Sequence, residues 1–173
     1  MIMIKIIGGI FVIFASFSFF YNYSRKYARR LSELEELSLM LAMLDSEIFY
    51  SLNPFPVAFA NISRGRGAAG DIFFFAAEYM KKKEYTDMAG VFTQAINEAR
   101  GKLHLKAEDF IIIEDFSKGL VSADVTGQRS NINAAREKIA YQISGAREDS
   151  KKFTKLYTYL GILSGVTVVI LLF

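Results

Sequence analysis

Two stretches of the chain show no polar periodicity. Ile2 to Tyr21 reads IMIKIIGGIFVIFASFSFFY, apolar apart from Lys5 and a few small residues. Leu156 to Phe173 reads LYTYLGILSGVTVVILLF, without a charge in 18 residues. As a helix the first covers about 30 Å, the thickness of one hydrocarbon core, and the second slightly less. Both are predicted to cross a membrane. A small-x-small pattern at Ser16–Ser18 resembles a signal-peptidase site. The aromatics directly after it, and the basic residues after those, oppose export, so residues 1–23 read as a retained anchor.

Between these stretches the period is helical. Leu34, Leu37, Leu41, Leu44 and Ile48 are spaced 3, 4, 3, 4, a heptad stripe on a helix that continues out of the first apolar stretch and ends near Ser51. In SLNPFP, Asn53 is placed to cap a short helix over Pro54–Ile62, with Pro54 at its first position. A flexible turn follows at Ser63–Gly70. The next helix, Asp71–Lys83, presents Ile72, Phe75, Ala76 and Tyr79, with Lys81, Lys82 and Lys83 at the negative end of its dipole. Thr86 is placed to cap a fourth helix, whose face carries Met88, Val91, Phe92, Ala95, Ile96 and Ala99, and which Gly101 ends. KLHL reads as a connector. Helix Lys106–Lys118 is predicted to bury Phe110, Ile113 and Phe116, with Gly119 just past its end. Ser122 opens the last helix, where Ile132, Ile139, Ala146 and Phe153 recur every seven residues and run unbroken into the closing apolar stretch.

The predicted fold is therefore all-α. Two transmembrane helices, 1–23 and 156–173, extend the first and last helices of a bundle of about six, residues 24–155. Orientation follows from charge. Arg25, Lys26, Arg29 and Arg30 come just after the first span, and Lys151, Lys152 and Lys155 just before the second. Both flanks place the bundle in the cytoplasm and both termini on the far side. Lys5 alone points the other way, and its side chain can snorkel to the outer face. Gly161 and Gly165 form a GxxxG pair, and Gly8 and Gly9 lie in the first span at a similar depth to Gly165, so these four are candidates for close helix contact.

Composition narrows the chemistry. The 173 residues hold no Cys and one His, which excludes thiolate and multi-histidine metal sites, and no cofactor is expected. A net charge of +3, with the acids and bases of residues 24–155 nearly balanced, argues against nucleic acid as a partner. Gly65, Gly67 and Gly70 match G-x-G-x-x-G, but a proline-started helix precedes them where the dinucleotide fingerprint needs a strand. Arg64 and Arg66 in that turn suit an acidic partner or lipid head groups. Glu108/Asp109 and Glu114/Asp115 read as a solvated helix face rather than a convergent catalytic pair, and His104 as a connector residue. Glu47, Tyr50, Pro54 and Pro56 in SEIFYSLNPFP mark a sharp corner suited either to packing or to docking another protein.

These motifs occur together in one family. Glu47-Ile48-x-Tyr50, the Pro54-Phe55-Pro56 corner, Gly119, Gln128 and Tyr157-x-x-Leu160-Gly161-x-Leu163-x-Gly165 appear in the order seen in the stage III sporulation protein AB family, which the chain resembles over nearly its whole length. It departs from the family's P-L-P-E-A at Phe55 and Val57, so the acidic residue there is missing. The resemblance implies a bundle similar to the cytoplasmic domain of the type II secretion inner-membrane platform protein. It also implies a place in the mother-cell membrane around the forespore, in a channel between the two cells. The partners it implies are membrane lipid, the other channel proteins and their secretion-type ATPase. The expected role is that of a non-enzymatic platform subunit. A self-associating membrane scaffold without ATPase contact and a membrane-anchored nucleotide-binding protein are the rival expectations.

Overall fold

The computed structural model describes residues 2–82, 87–120 and 124–172, with backbone alone for 2–7, 10, 12, 171 and 172. Six α-helices and one short 3-10 turn, Arg100–Lys102, make up the described chain, and no strand occurs among the described residues. The helices are α1 (Ile2–Phe49), α2 (Phe55–Ser63), α3 (Ala68–Lys82), α4 (Met88–Ala99), α5 (Ala107–Gly119) and α6 (Val125–Leu172). Contacts divide the chain into two compact units. One is made of residues 1–29 and 145–173, the other of residues 30–144. The outer helices α1 and α6, 48 residues each, contribute to both.

The 30–144 unit has the core that the apolar spacing predicts. Leu34, Leu37, Leu41 and Leu44 are buried on α1, and all six residues of the predicted α4 face are buried. Ile132, Ala135 and Ile139 are buried on α6. At the centre are four phenylalanines. Phe59, Phe73 and Phe92 have ring centroids 5.4 to 5.9 Å apart, and Phe92 meets Phe116 edge-on at 6.0 Å. Such edge-to-face pairs add to simple area burial. Phe73 belongs to this core, whereas Phe75, expected on the buried face, is half-buried.

Several predicted ends shift. Helix α2 begins at Phe55, and its N-cap is Pro54; Asn53 instead turns its amide to Glu47. Helix α3 begins three residues earlier than expected, at Ala68. The cap of α4 is Asp87, which accepts from the Gly90 N–H at 2.6 Å. Asp124 accepts from the Gly127 N–H at 2.8 Å in the first turn of α6. The expectations for Lys83, Thr86 and Ser122 lie outside the described residues, as does the side chain of Lys5. Gly119 is the last residue of α5 rather than a left-handed cap beyond it. A glycine is needed there for proximity, because a Cβ would fall on the side-chain amide of Asn131. That amide donates to the Phe116 carbonyl at 2.8 Å, satisfying an end group of α5.

In the two-helix unit, α1 and α6 run antiparallel. A Cβ on Gly161 would stand 3.2 Å from the Phe17 Cα, and one on Gly165 would stand 2.9 Å from the Ile13 Cα. Helix α1 thus comes close to α6 at both glycines, and Gly165 faces Ile13 rather than Gly8 or Gly9. Gly9 is buried, and no described atom lies within 4 Å of a Cβ at Gly8. Away from the glycines the seam turns aromatic. Tyr27 stacks on Phe153 at 4.4 Å, and Tyr23 meets Tyr157 edge-on at 5.2 Å. Among the described residues, α6 has an 18-residue window of mean hydropathy 1.4, mostly unburied, that is long and apolar enough to cross a membrane.

Candidate interaction surface

The sequence-selected residues divide between two places in the 30–144 unit. Glu47 has a structural task. Its carboxylate accepts from Asn53 Nδ2 at 2.7 Å and Asn61 Nδ2 at 2.9 Å, tying the end of α1 to the corner and to α2. Its carbonyl accepts from the Asn53 N–H at 3.0 Å. Held this way, the corner pushes its apolar residues outward. Tyr50 is 76% exposed and Leu52 79% exposed; Pro54 is exposed and Pro56 half-buried.

Leu52 also has φ of 54°, in the left-handed region. For a residue with a Cβ this costs about 1–2 kcal/mol. A leucine that is both strained and exposed gains nothing from the fold at that position, and such residues concentrate at functional sites.

Nothing in the residue spacing signals that the start of α6 joins this corner. The Arg129 guanidinium lies 4.4 Å from the Phe49 ring centroid and 5.7 Å from that of Tyr50, and its Nε is 3.1 Å from Asp45 Oδ1. Beside it, Val125, Thr126, Arg129, Ser130, Asn133 and Glu137 line an open hollow of about 500 Å³. The surface thus combines exposed aromatic and aliphatic groups with a cation already set against an aromatic face.

Arg64 and Arg66 lie elsewhere and do not act together. Arg64 is exposed, while Arg66 is half-buried with Nη2 3.2 Å from the Met43 sulfur. At Gly67 the glycine turn meets a carboxylate of α1. A Cβ on Gly67, just before α3, would be 3.3 Å from both carboxylate oxygens of Glu36. An acid from α1 therefore already stands at that helix start, where it suits the dipole and repels an anion.

The solvated-face reading of Asp109 is wrong. Asp109 is fully buried, and its carboxylate accepts from Arg30 Nε and Nη2, both at 2.8 Å. Asp109 Oδ2 also accepts from the Lys106 N–H at 2.8 Å, and Arg30 Nη2 donates to Gln142 Oε1 at 3.0 Å. Arg30, read from the sequence as one of four flanking cations, is buried too. One turn along α1, Glu33 accepts from the His104 backbone N–H at 2.7 Å and lies 2.9 Å from His104 Nδ1. His104 is a connector residue, as expected, but one fastened to α1. Glu108, Glu114 and Asp115 are not drawn into this cluster, and no group of three or more potential metal ligands occurs among the described residues.

Fold and surface together define a class: an all-α domain borne on two long helices, one of which is apolar enough to cross a membrane. The model of the stage III sporulation protein AB family matches residues 5–173, and the chain belongs to that family. It is similar to stage III sporulation protein AB of Bacillus subtilis (strain 168), with 22% identity over 170 residues that span 98% of this chain and 99% of the relative. A solved structure of stage III sporulation protein AB has the same fold at a TM-score of 0.65 and 19% identity, covering 70% of this chain and 96% of that one. The chain is thus a sporulation protein with an all-helical fold.

Proposed function

We propose that this protein is a non-enzymatic platform subunit of a sporulation channel, anchored in the mother-cell membrane around the forespore by the apolar ends of α1 and α6. The 24–155 segment faces the cytoplasm, with both termini on the far side. The corner at the end of α1 docks a cytoplasmic protein, for which the channel's secretion-type ATPase is the candidate. Helices α1 and α6 carry the mechanical consequence of docking toward the membrane.

The observation that carries this reading is Leu52, exposed and held at positive φ beside the exposed Tyr50. Family membership supports the sporulation role, and the basic residues flanking the apolar stretches support the orientation. The two rival readings have less support. Gly161 and Gly165 both face residues of the same chain, so the GxxxG pair does not favour self-association. Glu36 beside Gly67 does not favour nucleotide.

The test reconstitutes the full chain in bilayers and measures its binding of the purified ATPase. Tyr50→Ser with Leu52→Asn is expected to abolish binding, while a change on a different surface, Lys118→Gln, leaves it intact. If the unaltered protein shows no association, the docking reading is lost.

A further inference from the structure

The two-helix unit carries a ring of positive charge at one level. The antiparallel register that pairs Tyr27 with Phe153 and Tyr23 with Tyr157 puts Arg29 level with Lys151 and Arg25 level with Lys155. With Lys26 and Lys152 this makes six cations. Residues 25–29 and 151–155 span about 6 Å along each helix, roughly one turn. No acidic residue interrupts either segment. Five of the six are exposed, and Lys26 is half-buried.

Aromatic rings hold part of this ring of charge in place. The Lys26 ammonium sits 3.9 Å from the Tyr23 ring centroid and 5.1 Å from that of Tyr27. The Lys152 ammonium is 5.7 Å from the Phe153 ring centroid. The hydrogen bond with Tyr23 raises the Lys26 pKa above the ordinary lysine value, outweighing the lowering by burial, so Lys26 remains charged at physiological pH. Immediately beyond the aromatic pairs, both helices become apolar and pack through Gly161 and Gly165.

We infer that this collar is a binding site for anionic phospholipid head groups, with Lys26 and Lys152, steadied on their aromatic faces, as its two ordered cations. The inference rests on the reading of the two-helix unit as membrane-inserted. Charge selects a phosphate-bearing anion as the ligand class. Six cations in one turn with no intervening acid offer several phosphate-binding donors at the depth where an apolar helix meets a head-group layer, and each cation near an anionic surface adds to the attraction. Tyrosine suits the same depth because its ring is apolar and its hydroxyl polar. The phosphate group is the shared chemistry of a lipid head group and free phosphate. Continuity with the apolar seam selects the lipid.

The experiment reconstitutes the full chain into bilayers of phosphatidylcholine mixed with phosphatidylglycerol, extracts it mildly, and measures the retained lipid by native mass spectrometry. Phosphatidylglycerol is expected to be retained in excess of its share of the bilayer. Lys26→Gln with Lys152→Gln should reduce that excess about two- to five-fold per cation, and Lys26→Arg with Lys152→Arg should restore it. Four cations remain in the Gln variant to hold orientation, and Lys118→Gln with Lys138→Gln serves as the charge-matched control. Equal retention of both lipids by the unaltered chain overturns the inference, as does an equal loss in the control pair. It is also overturned if inorganic phosphate stabilises the detergent-solubilised chain as well as phosphatidylglycerol does. Failure of the chain to integrate into bilayers at all is a different result, since it removes the membrane-anchored reading itself.

Discussion

Asp109 receives both arms of the Arg30 guanidinium, each at 2.8 Å, with side-chain exposures of 0% and 6%. The bond joins α1 to α5 across 79 residues of sequence, and Gln142 adds α6. A buried ion pair loses much of its attraction to desolvation, so its presence adds little net stability. Removing one partner leaves a buried charge and is costly.

Arg30→Ala or Asp109→Ala is therefore expected to destabilise the 30–144 unit by about 3–5 kcal/mol. Arg30→Met with Asp109→Asn, which keeps an acceptor for the Lys106 N–H, should cost less than either single change. Urea unfolding of the detergent-solubilised chain, followed by circular dichroism, compares the three. Unaltered unfolding of Arg30→Ala would falsify the assignment of the pair as a lock.

How legible this cluster was depends on residue type rather than position. Arg30 lies four residues before Leu34 on the α1 stripe, Asp109 four before Ile113 on the α5 face, and Gln142 three after Ile139 on α6. All three occupy core positions of helices that the apolar spacing located well. The charges of Arg30 and Asp109 suggested solvent, because a single chain does not reveal which distant polar residue will meet them, and nothing in the spacing singles out Gln142. The helices themselves were readable because burial repeats every three or four residues along each. Their ends were less so. Asn53, Asp87 and Gly119 all have the chemistry of caps, and only their neighbours, Glu47, Gly90 and Asn131, decide what each one does. At the corner, Tyr50 and the prolines were visible, but neither the left-handed Leu52 nor the arrival of Arg129 leaves a trace in local spacing.

The Gly161–Phe17 and Gly165–Ile13 approaches set how closely α1 and α6 pack in the two-helix unit. Gly165→Leu forces an overpacked contact costing about 1–3 kcal/mol. The chain has no cysteine, so a Tyr27→Cys/Phe153→Cys pair reports on the seam without competing thiols. Oxidative cross-linking should be efficient in the parent and fall in Gly165→Leu. Equal cross-linking in both shows that the glycines do not control the approach.

Gly119 and Asn131 form a unit at the end of α5. Gly119→Ala displaces the Asn131 amide from the Phe116 carbonyl and is expected to cost about 1–2 kcal/mol. Asn131→Ala loses the same hydrogen bond, at about 1 kcal/mol. Because both changes remove one interaction, the double variant should be less destabilised than the sum of the two. Strict additivity in thermal unfolding argues that the glycine is needed for something other than this amide.

Leu52 separates stability from docking. Glycine tolerates φ of 54° without the Cβ penalty, so Leu52→Gly relieves strain of about 1–2 kcal/mol. The greater freedom of glycine in the unfolded chain offsets about 0.4–1 kcal/mol of that gain. Little apolar burial is lost, because the side chain is 79% exposed. The variant should therefore unfold at the same or a slightly higher urea concentration than the parent, yet bind the ATPase less well in reconstituted bilayers. A residue kept only for packing would show the reverse, with lower stability and unchanged binding. The Leu52→Ala variant removes the apolar surface while keeping the Cβ and its strain, so weakened binding there as well assigns the effect to the lost side chain rather than to the relaxed backbone.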